Sequence, residues 1–343
     1  MDRESVGEAD RVPHGGTTDR DVLDLSANTN PRSPPGTAAV YEAALAEARR
    51  YPDDDYPEFR DAAASVVDCD PECVVPTPGG LAAIRLALAT AVDPGDRVVV
   101  PYPSFGEYAR EVRLQGGEPV FVPEADVVDV DPTGVAVVVV CTPNNPTGTL
   151  PDREALVGLA DRCADAGTGL LADEAFLGYT DQSSLAGHEA VVAARSLTKL
   201  YGLPGLRAGY AVATGDRRDD LATARRAWTL GAPAAAVGAH CLRQTDFVED
   251  TRETVVRERR RLCDGLAGAD PAVEALPSDA PYVLVDCGDR DVDALLDDAR
   301  EQGVVLRDAR TFRGLDSHVR VAVEDAPATD RALEVFDARR DRR

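Results

Sequence analysis

Short apolar runs alternate with longer helical patterns through the middle of the chain. Runs rich in β-branched residues predict seven strands between Cys69 and Ala213: CVVPT, RVVVP, EPVFVP, GVAVVVVC, TGLLAD, AVVAARS and RAGYAVA. Three alanine-rich stretches between them have helical spacing: GLAAIRLALATAV, FGEYAREVRLQ and DREALVGLADRCADA. Continuous apolar strands separated by helices indicate an α/β fold, with a mostly parallel seven-stranded sheet covered by helices on both faces.

The pattern changes after this region. Two long helical stretches are predicted at about 216–230 and 235–265, followed by strands PYVLVDC, GVVLRDA and HVRVAV and helices VDALLDDAREQ and ATDRALEVFDARR. The first 40 residues are rich in Pro, Gly and Asp and predict an irregular arm that closes over another part of the molecule. We therefore expect an N-terminal arm at 1–40, a large domain at 41–245 and a smaller α+β domain at 246–343.

Composition narrows the classes of protein. The 343 residues include 61 acidic and 37 basic side chains, giving a formal net charge of −24. Such an excess of carboxylate suits a cytoplasmic protein adapted to high salt and argues against nucleic acid or anionic membrane as a partner. The seven cysteines include no CxxC pair and the four histidines are scattered, so we expect neither a disulfide framework nor a metal site.

Lysine usage is the most unusual feature of the composition. Lys199, in the stretch RSLTKLYGLPGLRAGY, is the only lysine, and the other 36 of the 37 basic residues are arginine. Ser196 and Thr198 precede it and Arg207 follows it, all after the strand AVVAARS. Together they offer an anion hydroxyls and a guanidinium beside a nucleophilic amine. The alternative is that Lys199 is a chance survivor of salt adaptation.

Three further polar clusters follow predicted strands, at the strand ends where sheets of this kind bind ligands. In VVPTPGGLAAI, a helix start offers free backbone N–H groups at Gly79, Gly80 and Leu81 to an anion, although an ordinary turn would look the same. In CTPNNPTGT, prolines hold an amide as a hydrogen-bond donor, although turns also favour these residues. In LLADEAF, Asp173 ends a buried strand and requires a cationic partner.

The four clusters together suit one cofactor, pyridoxal phosphate. Its aldehyde condenses with a primary amine, its phosphate binds at a helix start, an Asp pairs with its pyridinium nitrogen, and a donor meets its phenolic oxygen. Asp173 thereby gains the cation that its burial requires. The sequence therefore predicts a pyridoxal phosphate site.

The segments NNPTG, DEAF, SLTK and GLRAGY also resemble the fold type I pyridoxal-phosphate enzymes of the aminotransferase class I/II group, in the same order and over nearly the whole chain. The resemblance implies Lys199 as the Schiff-base lysine, Asp173 at the pyridine nitrogen and Asn145 at the phenolic oxygen. It implies Phe105 of PYPSFGEY stacked on the cofactor ring. Tyr51 of RYPDDDY is implied to cross to the partner's phosphate, which makes the protein a homodimer with shared active sites.

The resemblance also implies which groups surround the cofactor phosphate. These are Ser196, Thr198, Arg207 and the backbone of Gly80 and Leu81. The chain departs from the family here, because Gly80-Leu81 stands where relatives usually offer polar side chains. We expect backbone donors and Arg207 to hold the phosphate instead.

Within this group the chain is most similar to the threonine-phosphate decarboxylases, lyases of cobalamin biosynthesis that form (R)-1-amino-2-propanol phosphate. The similarity lies in the arm, in RYPDDDY, in RSLTKLYGLPGLRAGY and in RGLDSHVRVAV. It also lies in Phe176 of DEAF, where many aminotransferases have a tyrosine that binds the phenolic oxygen. The candidate substrate-binding residues are His14, Asn28, Arg307 and Arg320.

Other functions remain open at this stage. Histidinol-phosphate aminotransferases, the next most similar, transfer an amino group to 2-oxoglutarate. A non-catalytic protein that binds pyridoxal phosphate is a third possibility. Without the resemblance, Arg307 and Arg320 would be interpreted as structural ion-pairing residues and His14 as part of an unordered terminus.

Overall fold

The N-terminal arm contains two short elements before the main sheet begins. The structure is a computed structural model and describes residues 1–8, 10–269 and 273–337. Helix α1 spans Arg3–Glu8 and strand β1 spans Leu23–Asp24. The rest of the arm is irregular up to the start of helix α2 (Thr37–Glu47).

A seven-stranded sheet forms the centre of the larger part of the molecule. Its strands are β2 (Val74–Thr77), β3 (Arg97–Tyr102), β4 (Glu118–Pro123), β5 (Val137–Cys141), β6 (Gly169–Asp173), β7 (Val191–Ser196) and β8 (Gly209–Val212). The order is β2-β8-β7-β6-β5-β3-β4, and only β8 runs antiparallel to its neighbours. The prediction of a mostly parallel seven-stranded sheet is confirmed.

Helices cover both faces of this sheet. They are α2, α3 (Pro57–Val67), α4 (Gly80–Ala91), α5 (Glu107–Leu114), α6 (Arg153–Ala166), α7 (Gly215–Ala224), α8 (Ala232–Leu242) and the start of α9 (Thr245–Ala269). Alternate residues of β5 belong to two separate apolar clusters. Val138 and Val140 belong to one cluster, and Val137 and Val139 belong to the other. This alternation explains why the strand is apolar at every position.

The two long helical stretches predicted after β8 were wrong in their bounds. The first ends at Ala224, not near 230, because Arg225 turns away to bind the carboxylate of Asp54 at 2.9 and 3.0 Å. The second is two helices, α8 and α9, separated by Arg243 and Gln244. Helix α8 packs on α2 and α3, whereas α9 continues to the smaller unit, so one straight helix could not make both contacts.

The smaller unit contains β9 (Glu274–Ala275), β10 (Tyr282–Asp286), α10 (Val292–Glu301), β12 (Arg307–Asp308), β13 (His318–Ala322) and α11 (Ala326–Phe336). Its four strands form an antiparallel sheet with the order β12-β13-β10-β9. The predicted strand GVVLRDA is divided. Its first part, β11 (Val304–Val305), pairs in parallel with β1 of the arm, and only its second part, β12, joins the four-stranded sheet.

Short 3-10 helices connect several of these elements: Pro71–Cys73, Glu124–Asp129, Leu177–Tyr179, Pro204–Leu206 and Ala309–Thr311. All seven cysteines are free thiols. Within the described ranges, no helix combines the length and the apolar character needed to cross a bilayer.

Two glycines within helices of the larger unit differ in the space around them, so replacing them with alanine should change stability in opposite directions. A Cβ at Gly238 in α8 would lie 2.5 Å from Phe59 Cε2, whereas at Gly158 in α6 the nearest atom is Arg162 Nη1 at 3.6 Å. We expect Gly158→Ala to raise the free energy of unfolding by about 0.5–1 kcal/mol through helix propensity. Gly238→Ala should lower it by about 1–3 kcal/mol through overpacking. Urea unfolding of both variants measures this, and shifts of the same sign would contradict the packing described here.

Candidate active site

A cavity of about 740 Å³ lies at the carboxyl ends of the central strands, where the arm and the smaller unit meet the large sheet. This is the position expected for a ligand in a sheet of this topology. Most of the residues predicted from the sequence line it: His14, Asn28, Gly80, Leu81, Phe105, Asn145, Asp173, Ser196, Thr198, Lys199, Arg207, Arg307 and Arg320. Segments distant in sequence are therefore brought to one site.

Lys199 follows β7 and its amine faces the arm. Its Nζ donates a hydrogen bond to Ala27 O at 2.5 Å. Burial, together with the positive charges of Arg320 and Arg207, lowers the pKa of Lys199 to about 8. A lysine with this pKa supplies a neutral, nucleophilic amine at a lower pH than an exposed lysine does.

Asp173 ends β6 and is 6% exposed. Its Oδ1 accepts from the backbone N–H of Ala175 at 3.0 Å and its Oδ2 accepts from the hydroxyl of Tyr108 at 2.5 Å. Burial raises the pKa of Asp173, and the two hydrogen bonds act against this shift. In the part of the chain that the structure describes, no cationic side chain pairs with this carboxylate, so a cation within the cavity would stabilise it.

The start of α4 has the geometry of an anion-binding site. The turn before the helix places Gly79 at a φ of 100°, and the first N–H groups of the helix have no partner within it. A Cβ at Gly79 would lie 2.5 Å from Arg207 Nη2, and one at Gly80 would lie 3.0 Å from Ser196 Cβ. The two glycines therefore leave room for the guanidinium and the hydroxyl beside the helix start.

These residues fit pyridoxal phosphate at each of its reactive or charged groups. The amine of Lys199 suits the aldehyde, the unpaired carboxylate of Asp173 suits the pyridinium nitrogen, and the helix start with Arg207 suits the phosphate. Phe105, whose ring also lines the cavity, is available to stack on the cofactor ring.

Two buried arginines lie side by side on neighbouring strands of the four-stranded sheet. Arg307 on β12 pairs in register with Arg320 on β13, and they are 8% and 4% exposed. Arg307 donates to Pro13 O at 2.8 Å and Thr311 Oγ1 at 2.9 Å. Burial lowers the pKa of Arg307 and lowers the pKa of Arg320 to about 10. Among the described residues neither guanidinium forms an ion pair, so the pair is suited to a ligand with two negative groups.

Amide side chains complete the environment of Arg320. The guanidinium donates to Asn145 Oδ1 and, at 2.8 Å, to Ser26 O. The amide of Asn28, with its oxygen turned toward Arg320, accepts from the same group at 3.2–3.3 Å. Because Arg320 uses the oxygen of Asn145, the NH₂ group of this amide is the part left to donate to a ligand.

Two residues of this site were missed in the sequence. Glu107 binds His14, with 2.9 Å between Oε1 and Nε2, and Tyr108 binds Asp173. They follow Phe105 by two and three residues in the stretch FGEY. This closeness to a predicted ligand contact is the sequence feature that could have indicated them. A predicted amphipathic helix gives no reason to place a glutamate on its buried side.

Tyr51 lies outside the cavity of its own chain. Its side chain is 78% exposed and its ring lies 4.5 Å from that of Trp228, which is 51% exposed. The expectation that Tyr51 reaches the phosphate site of a partner stays a prediction.

Comparison with known proteins agrees with this geometry. The model of the family described as aminotransferase class I and II matches residues 20–336, so the chain belongs to this family. The protein is therefore an enzyme of fold type I that uses pyridoxal phosphate. The predicted resemblance, fold class and cofactor are confirmed.

Relatives with two different activities in their names are about 30% identical to this chain. Histidinol-phosphate aminotransferase 2 of Archaeoglobus fulgidus is 30% identical over 330 residues, covering 93% of each chain. Threonine-phosphate decarboxylase of Salmonella typhimurium is 31% identical over 335 residues, covering 91% of this chain and 89% of its own. The structure of histidinol-phosphate aminotransferase from Sinorhizobium meliloti in complex with pyridoxal-5'-phosphate superposes with a TM-score of 0.80 at 21% identity, covering 90% of this chain and 88% of its own.

The lowered pKa of Lys199 predicts how covalent attachment of the cofactor depends on pH. The neutral amine is the reactive form, so the rate at which apo-protein binds pyridoxal phosphate covalently should rise about tenfold per pH unit and level off above the lysine pKa. We expect the plateau to begin at about pH 8. Stopped-flow absorbance measures this, with N-acetyl-lysine amide as a control for the titration of the cofactor. A rise that continues to about pH 10, as for an exposed lysine, would contradict the prediction.

Proposed function

We propose that the enzyme decarboxylates O-phospho-L-threonine to (R)-1-amino-2-propanol phosphate, a precursor for cobalamin. The observation that supports this most directly is the pair of buried arginines, Arg307 and Arg320, whose observed hydrogen bonds go to uncharged oxygens. O-phosphothreonine carries a carboxylate and a phosphate on one small molecule, so one substrate can satisfy both guanidiniums.

The surroundings of the two arginines suggest which group each one binds. Arg320 contacts Asn145, which is proposed to lie at the cofactor ring, so Arg320 suits the α-carboxylate next to the reacting carbon. Arg307 donates to the backbone of Pro13, beside His14, and so suits the phosphate at the far end of the substrate. Asn28 holds Arg320 in place from the arm.

When bound, pyridoxal phosphate supplies an electron sink for the electron pair left when a bond to the substrate α-carbon breaks. The contribution of the chain is orientation, because the bond that breaks is the one held perpendicular to the cofactor ring. Arg307 and Arg320 would fix the two ends of the substrate so that this is the bond to the carboxylate. After CO₂ leaves, Lys199 Nζ would return a proton to the same carbon.

Phe176 bears on how the cofactor is held. It packs edge-on against Tyr282, with 5.0 Å between ring centroids, and carries no hydroxyl. Tyr282 donates its own hydroxyl to Asn144 O at 2.8 Å. In this proposal the amide of Asn145 is therefore the donor to the phenolic oxygen.

The alternative function is that of a histidinol-phosphate aminotransferase. The same arginine pair could hold the two carboxylates of 2-oxoglutarate, and relatives at about the same identity bear this name. A non-catalytic protein that binds pyridoxal phosphate was the third function left open by the sequence, and both the family and the presence of Lys199, Asp173, Asn145 and Arg207 in the cavity argue against it.

We further propose a homodimer in the cytoplasm of a salt-rich cell. The exposed aromatic pair of Tyr51 and Trp228 suits a subunit interface, and Tyr51 would contribute to the cofactor site of the partner. The excess of acidic residues supports the adaptation to salt.

Two parallel assays separate the candidate reactions. The holoenzyme with O-phospho-L-threonine should release CO₂, measured by a coupled assay. With glutamate and imidazole-acetol phosphate it should form no 2-oxoglutarate. The reverse result would make the enzyme an aminotransferase, and no turnover in either assay by protein with bound cofactor would favour the non-catalytic alternative.

Variants of the arginine pair test the substrate contacts. Arg307→Ala and Arg320→Ala should each lower kcat/KM for O-phosphothreonine about 30- to 100-fold, because a charged hydrogen-bonding partner of the substrate is lost. Arg310→Ala is the matched control, because Arg310 is three residues from Arg307 but binds Asp293 and Asp308. Full activity of both cavity variants would remove these arginines from the substrate site.

A further inference from the structure

We infer that Glu107 is a positioning residue, which holds His14 and the arm so that the histidine meets the phosphate of the substrate. The inference rests on the proposed function, in which the phosphate lies at the arm side of the cavity. Glu107 does not itself line the cavity, and it would act through His14.

The carboxylate of Glu107 is buried and holds the arm directly. It is 5% exposed, in the first turn of α5, and its Oε1 lies 2.9 Å from His14 Nε2. Its Oε2 accepts from Arg110 Nη1 at 3.3 Å, and Arg110 Nε donates to Asp10 O at 3.0 Å. Glu107 and Arg110 therefore bind the arm at two residues, His14 and Asp10, that are four positions apart.

The backbone around α5 is shaped to receive the arm. A Cβ at Gly106 would lie 2.9 Å from Val12 Cγ1, so this glycine permits the close approach of the arm to the start of α5. The ring of His14 lies 5.7 Å from that of Phe105, the residue expected to stack on the cofactor. The arm segment Val12–His14 is thus fixed beside the cofactor position through contacts with residues 105–107.

The hydrogen bond also determines which part of His14 can meet a ligand. Glu107 accepts from Nε2, so Nδ1 is the ring nitrogen left for the cavity. When His14 carries both protons, Nε2 donates to Glu107 while Nδ1 can donate to a phosphate oxygen. Half of the His14 side chain is exposed, so without Glu107 the ring could turn away from the cavity.

A purely structural role for Glu107 is the rival explanation. Burying a carboxylate is costly unless its oxygens are paired, and Glu107 could serve only to pair with Arg110. The chain offers a matched control for this. Glu111, one turn later and 2% exposed, pairs with Arg110 and Arg85, whereas His14 pairs with Glu107. If pairing on α5 were the whole role, the two glutamates would behave alike.

The test is a double-mutant cycle on the holoenzyme. Glu107→Ala, His14→Ala and the double variant are compared with Glu107→Gln and Glu111→Gln, using kcat and KM for O-phosphothreonine and the unfolding midpoint of each protein. We expect Glu107→Ala to raise KM about tenfold with a smaller change in kcat. In the His14→Ala background the same change should have no further effect. Glu107→Gln, whose amide oxygen still accepts, should restore most of the affinity, and Glu111→Gln should leave KM unchanged.

Binding of inorganic phosphate to the holoenzyme, measured by calorimetry, keeps this inference separate from the proposed reaction. If the wild type releases no CO₂, the proposed function is wrong, yet Glu107→Ala should still weaken phosphate binding about tenfold and only when His14 is present. L-threonine, which lacks the phosphate, should bind all variants alike. Effects of Glu107→Ala and His14→Ala that simply add, or an equal effect of Glu111→Gln, would overturn the inference.

Discussion

Three buried charges in the cavity have no oppositely charged side chain beside them in the part of the chain that the structure describes. Asp173 is a buried carboxylate without a cationic partner among the described residues, and Arg307 and Arg320 are buried guanidiniums whose hydrogen bonds go to uncharged oxygens. Buried charges of this kind are costly unless they are paired. The cofactor would supply a cation for the first, and the proposed substrate, with its two negative groups, would supply anions for the others. On this proposal, the buried charges are paired only when both are bound.

The fold brings these charges together through strand ends and strand register. Asp173 and Lys199 follow neighbouring strands, β6 and β7, while the two arginines are opposed because β12 and β13 pair at those positions. The arm joins the two parts. Its β1 adds to β11, and its backbone receives hydrogen bonds from Lys199 Nζ at Ala27 and from Arg307 at Pro13. The arm therefore couples the cofactor side of the cavity to the substrate side.

Features that depend on neighbouring residues in the sequence could be predicted from the sequence. The sheet followed from continuous apolar strands, and Lys199 from its being the only lysine. The break between α8 and α9 was missed because the alanine-rich sequence of α8 and the Arg- and Glu-rich sequence of α9 both favour helix, whereas the two helices pack against different elements. The division of GVVLRDA was missed because the partner of β11 is the arm. Glu107 was missed because periodicity does not show that the arm covers that side of α5.

The central claim is that pyridoxal phosphate bonds to the one lysine side chain between Asp173 and the anion-binding helix start. Reduction of the holoenzyme with borohydride, followed by tryptic digestion and mass spectrometry, tests it most directly. We expect one pyridoxyl phosphate group per chain, on the peptide spanning 196–207 and at Lys199. An unmodified Lys199, or a label confined to the amino terminus, would contradict the account.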